Sequence, residues 1–267
     1  MLSKQALSDL LHGQLTLSLF RIVAAEQSLL LPFVMFDQLI NNLVTELIRR
    51  KFLEQFDVLL DYLGFADEQL TINHYFKYSG FCPQTGWTVF DIGANVGEYA
   101  IPAARMIREG KVVAVEPEPN NYSKLLQNIR INNLTNIISV KVAIGAKEGW
   151  LPINRLPGLC QETPTKIDTN NVRVTTIDAL ISELCIPNVD IIKIDIEGWE
   201  WLALQGCVDT IRRFHPRLIV ECHNGCLAEQ VRAFLLRNGY EVWLWPVDHY
   251  LYNYEITCYA SGKQTLR

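Results

Sequence analysis

Three charged residues, Lys193, Asp195 and Glu197, alternate at the end of the apolar run Asp190–Asp195, between Ile192, Ile194 and Ile196. Alternation places all three on one face of a strand. A core strand has no use for three charges on one side, so this face reads as a site. Asp195, at the strand's C-terminal end, is the first candidate for a base that takes a hydroxyl proton or orients the hydroxyl. Lys193 can serve as a base if desolvation lowers its pKa. Glu197 is a candidate for binding substrate hydroxyls or for capping the next helix, with Gly198 permitting the turn. The plainer alternative is an ion pair of Lys193 with Asp195 or Glu200 that only shapes the loop. Glu221 and His223 end the following strand; His223 is a second base candidate and Glu221 a substrate-binding one. Asp195 with Glu221 could hold a divalent ion, but strand-end carboxylates are common without one, and no metal is assigned. Cys222 to Cys226 frames His223 without a second ligand pair at zinc spacing.

A second constellation lies upstream. Val89-Phe90-Asp91-Ile92-Gly93-Ala94-Asn95-Val96-Gly97-Glu98-Tyr99 reads as a strand, a glycine turn and the start of a helix. Such a junction offers backbone N–H groups and a helix dipole to an anion. A dinucleotide site wants G-x-G-x-x-G; here Asn95 stands at the second glycine and Glu98 at the third, and no G-K-[ST] follows. The turn therefore suits a smaller, less anionic group than a pyrophosphate. Glu116 ends the next strand and can accept bonds from both hydroxyls of a ribose. A ribose with one carboxylate and no phosphate describes S-adenosylmethionine. Its adenine would lie near Val142, Ala143 and Ile144. Asp178 is a weaker candidate, equally able to cap its own helix.

The chain resembles the FkbM-type class I methyltransferases. The resemblance is carried by Val89 to Gly97, by Val115-Glu116-Pro117, and by Lys193-Ile194-Asp195-Ile196-Glu197-Gly198-Trp199-Glu200, and it extends over roughly residues 76–222. It implies S-adenosylmethionine as methyl donor, held by Asp91, Gly93, Ala94, Asn95, Gly97, Glu116, Pro117 and Ala143. It also implies a hydroxyl acceptor on a small molecule, a sugar, a glycolipid or a secondary metabolite. The N-P-P-Y stretch frequent in enzymes that methylate amide or exocyclic nitrogen is replaced by Asp195-Ile196-Glu197-Gly198, which favours oxygen. The alternatives are N-methylation of a small amine and a non-catalytic binding protein on the same fold.

These residues must be positioned by alternating strands and helices. Strands are expected at 112–115, 137–144, 150–153, 172–176, 190–195, 218–222, 241–245 and 255–259. Helices are expected at 120–132, 177–184, 199–213 (with Gly206 as a possible break) and 227–238. The fold class is α/β: a Rossmann-like, mostly parallel sheet ending in an antiparallel edge, with an N-terminal helical region. The boundary is placed at the turn-rich stretch around residues 79–86, giving a helical region 1–80 and a methyltransferase domain 81–267. Apolar residues recur at helical spacing from Phe36 to Leu63. Less regular helical signals cover 3–31 and 67–78. This region is read as a cap on the domain, with a homodimer interface or a lid as alternatives.

The chain has 267 residues, 49% of them apolar, and a net charge of −5, which argues against a nucleic-acid partner. Leu15 to Phe36 is interrupted by Arg21, Glu26, Gln27 and Pro32 and makes a poor membrane span. The seven scattered cysteines lack disulfide or CxxC spacing, so a cytoplasmic setting with reduced thiols is expected.

Overall fold

The computed structural model describes residues 75–76, 80–155, 171–246 and 254–261. The helical expectations before residue 75, and with them the dimer or lid role, lie outside the described residues. So does the apolar stretch 15–36; among the described residues no helix is long and apolar enough to cross a membrane.

The chain alternates as its periodicity requires: β1 (Thr88–Ile92), α1 (Ala100–Ile107), β2 (Lys111–Val115), α2 (Pro119–Ile131) and β3 (Ile137–Val140). After β4 (Ala143–Ile144), β5 (Gly149–Pro152) and β6 (Asn171–Thr175) come α3 (Ile177–Glu183), β7 (Ile191–Ile194), α4 (Glu200–Gln205) and α5 (Val208–Phe214). The domain ends with β8 (Arg217–Cys222), α6 (Gly225–Arg237), β9 (Tyr240–Pro246) and β10 (Tyr254–Ala260). The main sheet runs β3-β2-β1-β7-β8-β10-β9. All its pairings are parallel except those of β10, which runs against both β8 and β9. The sheet thus closes in antiparallel pairing, with the reversed strand one place in from the edge.

Strand order turns around between β1 and β7, because β2 lies on one side of β1 and β7 on the other. Crevices outside the C-terminal strand ends open at such switch points. Phe90, Ile92, Ile192, Ile194, Leu218 and Val220 point to one face and pack on α3 to α6. Val89, Val112, Ala114 and Ile191 point to the other, under Ala100, Ala103, Ala104 and Ile107 of α1. Burying a side chain of this size contributes about 1.5–3 kcal/mol, so the alternation fixes the register firmly.

Two expected elements are divided. The strand foreseen over 137–144 breaks after Val140. Ala143–Ile144 leaves β2 and pairs in parallel with Val174–Thr175, joining a three-stranded sheet in the order β4-β6-β5. The helix foreseen over 199–213 divides at Gly206, which ends α4 by donating to Ala203 and Leu202 carbonyls. Asp178 then starts α5 by accepting from the N–H groups of Asp209 and Thr210. Asp178 is therefore the cap of another helix, where N–H groups lack intrahelical partners. Its candidacy as a donor-binding residue is set aside.

Candidate functional site

The turn after β1 is built by its glycines. Gly93 has φ +85°, and a Cβ there would overlap the carbonyl oxygen of Asp195. Gly97 has φ +99°, and a Cβ would meet the side chains of Ile101 and Leu125 at 2.8 Å. Asn95, also left-handed at φ 49°, is a residue type that tolerates the conformation. Asn128 of α2 ties the turn down by donating its side-chain N–H to the Val96 carbonyl at 2.9 Å.

The turn presents fewer free N–H groups than its sequence promises. Gly93 and Ala94 N–H both donate to Val115 O, and Gly97 N–H donates to Ala94 O. Asn95 N–H donates to Glu116 Oε2 at 2.9 Å. A ligand here is met less by a ring of amides than by two buried carboxylates. Asp91 is fully buried with neither oxygen in a hydrogen bond; Lys193 Nζ stands 3.3 Å away as an ion pair without bond geometry. Burial raises Asp91 to about 6 against the pull of Lys193. Glu116 ends β2 almost buried, its Oε1 accepting from Glu118 N–H and its Oε2 from Asn95 N–H. Burial lifts it to about 7, and those two N–H groups hold it down. Each Glu116 oxygen keeps a lone pair for a hydroxyl. A cationic group beside Asp91 and a diol beside Glu116 would satisfy this donor set, so the residues fit S-adenosylmethionine.

The chemistry-bearing residues of β7 and β8 lie beside that turn. Asp91 pairs in register with Lys193, and Glu221 with Glu255 across β8 and β10. Strand alternation sets Asp91, Lys193, Asp195 and Glu221 on one face of the sheet. Lys193 Nζ is 3.3 Å from Asp195 Oδ2 and 3.2 Å from the Gly93 carbonyl. Desolvation would lower the Lys193 pKa, but Asp91 and Asp195 outweigh it and hold the ammonium charged. Asp195 is pushed up by burial and pulled down further by Lys193 and then His223, to about 2. His223 Nε2 faces Asp195, Glu197 and Glu200 oxygens at 3.4, 3.6 and 3.7 Å. These lengths give Coulomb attraction more than directed bonds, and against its own desolvation they raise the imidazole to about 9.

Glu221 is different. Burial and the nearby Asp195 carboxylate raise it to about 7, while Tyr75, Lys193 and His223 pull it down. Glu197 continues the alternation only in sequence. Its φ is 58°, followed by Gly198 at 107°, and its side chain is 58% exposed beyond the strand end. Glu200 is the loop-former: fully buried, it accepts from Ile196 N–H and Gly198 N–H through Oε1. Lys193 pairs with Asp91 and Asp195, not with Glu200.

Single atoms of Asp195, Glu197 and His223 lie within 4.8 Å of one another, the spacing of a metal-ligand set. Asp195 and Glu221, the pair considered from sequence, instead share the hydroxyl of Tyr75. Ala143 sits with Val172 and Val174 in the small sheet, while Val142 and Ile144 join the main core. Tyr75, Tyr99 and Glu200 were not singled out as site residues by sequence reasoning. Tyr75 and Tyr99 carry no local pattern that marks them; Glu200 is visible as the last acid of the Lys193–Glu200 stretch.

A family model described as the methyltransferase FkbM domain matches residues 91–242. Among curated relatives, methyltransferase sdnD of Sordaria araneosa is 23% identical over 190 residues, covering 58% of this chain and 73% of its own. Hexuronic acid methyltransferase AglP of Haloferax volcanii is 24% identical over 149 residues, covering 55% of this chain and 60% of its own. The chain thus spans less than two thirds of AglP. Among solved structures, methyltransferase FkbM of Methylobacillus flagellatus gives a TM-score of 0.53 at 15% identity, over 84% of this chain and 60% of that one. The METTL16 MTase domain gives 0.53 at 15% identity, over 82% and 80%. At these identities the structural likenesses speak to the fold.

Proposed function

The chain belongs to the FkbM methyltransferase family, whose methyl donor is S-adenosylmethionine, and from that premise we propose that it methylates a hydroxyl oxygen of a small, uncharged, polyhydroxylated molecule. When bound, the donor supplies a methyl carbon activated by a sulfonium. Asp91 balances the donor's cationic amino-acid end beside the Gly93, Ala94, Asn95 and Gly97 turn. Glu116 accepts from the ribose, with Pro117 shaping that edge, and Ala143 with Val142 borders the base. The acceptor lies across the ends of β7 and β8.

The observation that carries this reading is the separation of roles among the acceptor-side groups. An alcohol is a weak nucleophile and needs a base near neutrality. Lys193 is held as an ammonium between two carboxylates, and Lys193 and His223 hold Asp195 ionised, below the usual carboxylate range. Both are poorly matched to proton removal. Glu221 is raised by burial and by the Asp195 carboxylate, among the described residues it carries no ion pair with Lys193, and the Tyr75 hydroxyl orients it at 2.6 Å, so we read Glu221 as the base in place of Asp195, the first expectation. Asp195 accepts from a neighbouring hydroxyl of the acceptor and so aligns the oxygen whose proton passes to Glu221. His223 as imidazolium and Glu197 bind neighbouring hydroxyls. Asp91, Asp195, Glu197 and Glu221 outnumber the cations Lys193 and His223 here, a surplus of acid that repels an anionic acceptor and suits one that donates hydrogen bonds. AglP is named for a hexuronic acid; this pocket favours the neutral counterpart. Lys193 and His223 already balance Asp195, so the reading requires no metal.

The test incubates the full chain with isotopically methyl-labelled S-adenosylmethionine and methyl glucoside, glucuronic acid, catechol or ethanolamine, and identifies products by mass and alkaline stability. An alkali-stable methyl ether of the neutral glycoside is expected, unchanged by chelator. Transfer to ethanolamine nitrogen alone would overturn the oxygen assignment. Activity lost to chelator and restored by Mg2+ would instead assign a cation to Asp195, Glu197 and His223.

A further inference from the structure

Tyr75 lies 16 residues ahead of the first residue that the family model matches, yet it reaches into the acceptor end. We propose that Tyr75 is a positioning residue that completes the site from outside the family domain, fixing the Glu221 carboxylate with its hydroxyl and roofing Lys193 with its ring. The role rests on the reading of Glu221 as base.

The Tyr75 hydroxyl donates to Glu221 Oε2 at 2.6 Å and stands 3.4 Å from Asp195 Oδ2. One proton therefore lies between two carboxylates that would otherwise repel across the β7–β8 gap. It is committed to Glu221 by the shorter contact. The ring centroid is 5.4 Å from Lys193 Nζ, within cation–π reach. The backbone that carries the phenol is anchored twice on Tyr99 at the start of α1. Tyr75 meets that ring edge-on at 5.6 Å, and Phe76 stacks on it at 5.1 Å with the planes 9° apart. Tyr99 is itself buried. A phenol so anchored restricts Glu221 to one rotamer and keeps its other oxygen for the acceptor. Aromatic pairs of this geometry contribute beyond their buried area.

The groups facing Glu221 are Lys193 from β7 and Asp195 just after it, His223 just after the Glu221 strand, Glu255 from the paired position on β10, and Tyr75. Of these, Tyr75 is the one whose contribution is a single neutral hydrogen bond, so it can be deleted without altering the charge count. That bond favours the ionised carboxylate.

The test is Tyr75→Phe in the full chain, which keeps the ring and removes the hydroxyl. Carbon-13 NMR of labelled glutamate follows the Glu221 carboxyl through pH, its resonance assigned by Glu221→Gln. The midpoint is expected to move up by about half to one pH unit, with S-adenosylmethionine affinity unchanged within twofold. On methyl glucoside, the acidic limb of the rate profile should move the same way, and Tyr75→Phe should cost nothing further in the Glu221→Gln background. An unmoved midpoint, or losses that add in full, overturns the role of Tyr75. Native turnover in Glu221→Gln alone overturns the base assignment instead, and the NMR midpoint still decides whether Tyr75 holds the carboxylate.

Discussion

At the scale of residues, the site sorts nearly identical groups by their surroundings. Asp91, Asp195, Glu116 and Glu221 are all carboxylates at strand ends, yet Asp91, Glu116 and Glu221 are raised above the usual range while Asp195 is held below it. The spread follows from which cation or N–H faces each one. Asp195→Asn removes an ionised partner of both Lys193 and His223. It should leave donor affinity close to native and lower turnover by about a hundredfold; near-native turnover would take Asp195 out of the reaction. Glu116 gives a pH prediction. Ribose hydroxyls donate to its ionised form, while its proton is retained in the free chain up to about pH 7. Donor binding should therefore release a proton, and affinity should rise as pH climbs through about 7 and then level. In the Glu116→Gln variant the affinity should be weaker, and the remaining slope should centre lower, near the titration of Asp91 at about 6. Calorimetry in two buffers of different ionisation heat measures both; a native affinity indifferent to pH would contradict the ribose role.

At the scale of elements, two loops do the positioning, and both were legible because their signals are local. The β1–α1 turn announces itself through Gly93 and Gly97, and the β7–α4 loop through the charges at 193, 195 and 197. What sequence could not supply was contact at long range. Tyr75 meets Glu221 across 146 residues, with nothing near Tyr75 to signal it. The third strand extends too far in sequence because Val142, Ala143 and Ile144 continue the apolar run of Ile137 to Val140; only pairing with β6 draws Ala143 and Ile144 away. The free N–H groups expected of the turn were consumed by Val115 and Glu116, partners that periodicity does not reveal. The two glycines should differ on substitution. Gly93→Ala drives a Cβ into Asp195 main chain, whereas Gly97→Ala meets side-chain methyl groups of Ile101 and Leu125. Both pay for a positive φ, roughly 1 kcal/mol. Gly93→Ala should lower stability by a further 2 kcal/mol or so and abolish donor binding. Thermal melting of the two variants side by side checks the order; equal shifts would mean the β7 loop yields easily.

For the whole molecule, one face of one sheet carries Asp91, Lys193, Asp195 and Glu221 together, the groups proposed for both halves of the reaction. Because β1 and β7 are neighbours at the switch in strand order, Asp91, proposed for the donor, and Asp195, proposed for the acceptor, share a single lysine. The acid surplus around that lysine predicts acceptor choice. At low salt, kcat/KM for methyl glucoside should exceed that for glucuronic acid by about tenfold or more, and the gap should narrow as salt screens the pocket. A preference for the uronic acid would show that charge does not select the acceptor.

The main-chain contact of Gly93 with Asp195 has a consequence for anyone wishing to redirect this enzyme. The loop that carries Asp195 approaches the β1 turn through main-chain atoms, and only a residue without a Cβ at position 93 allows it, so the spacing between the two loops is set by Gly93. Libraries that vary Glu197 and His223 to change the acceptor should therefore hold Gly93 fixed, because any side chain there pushes the two loops apart.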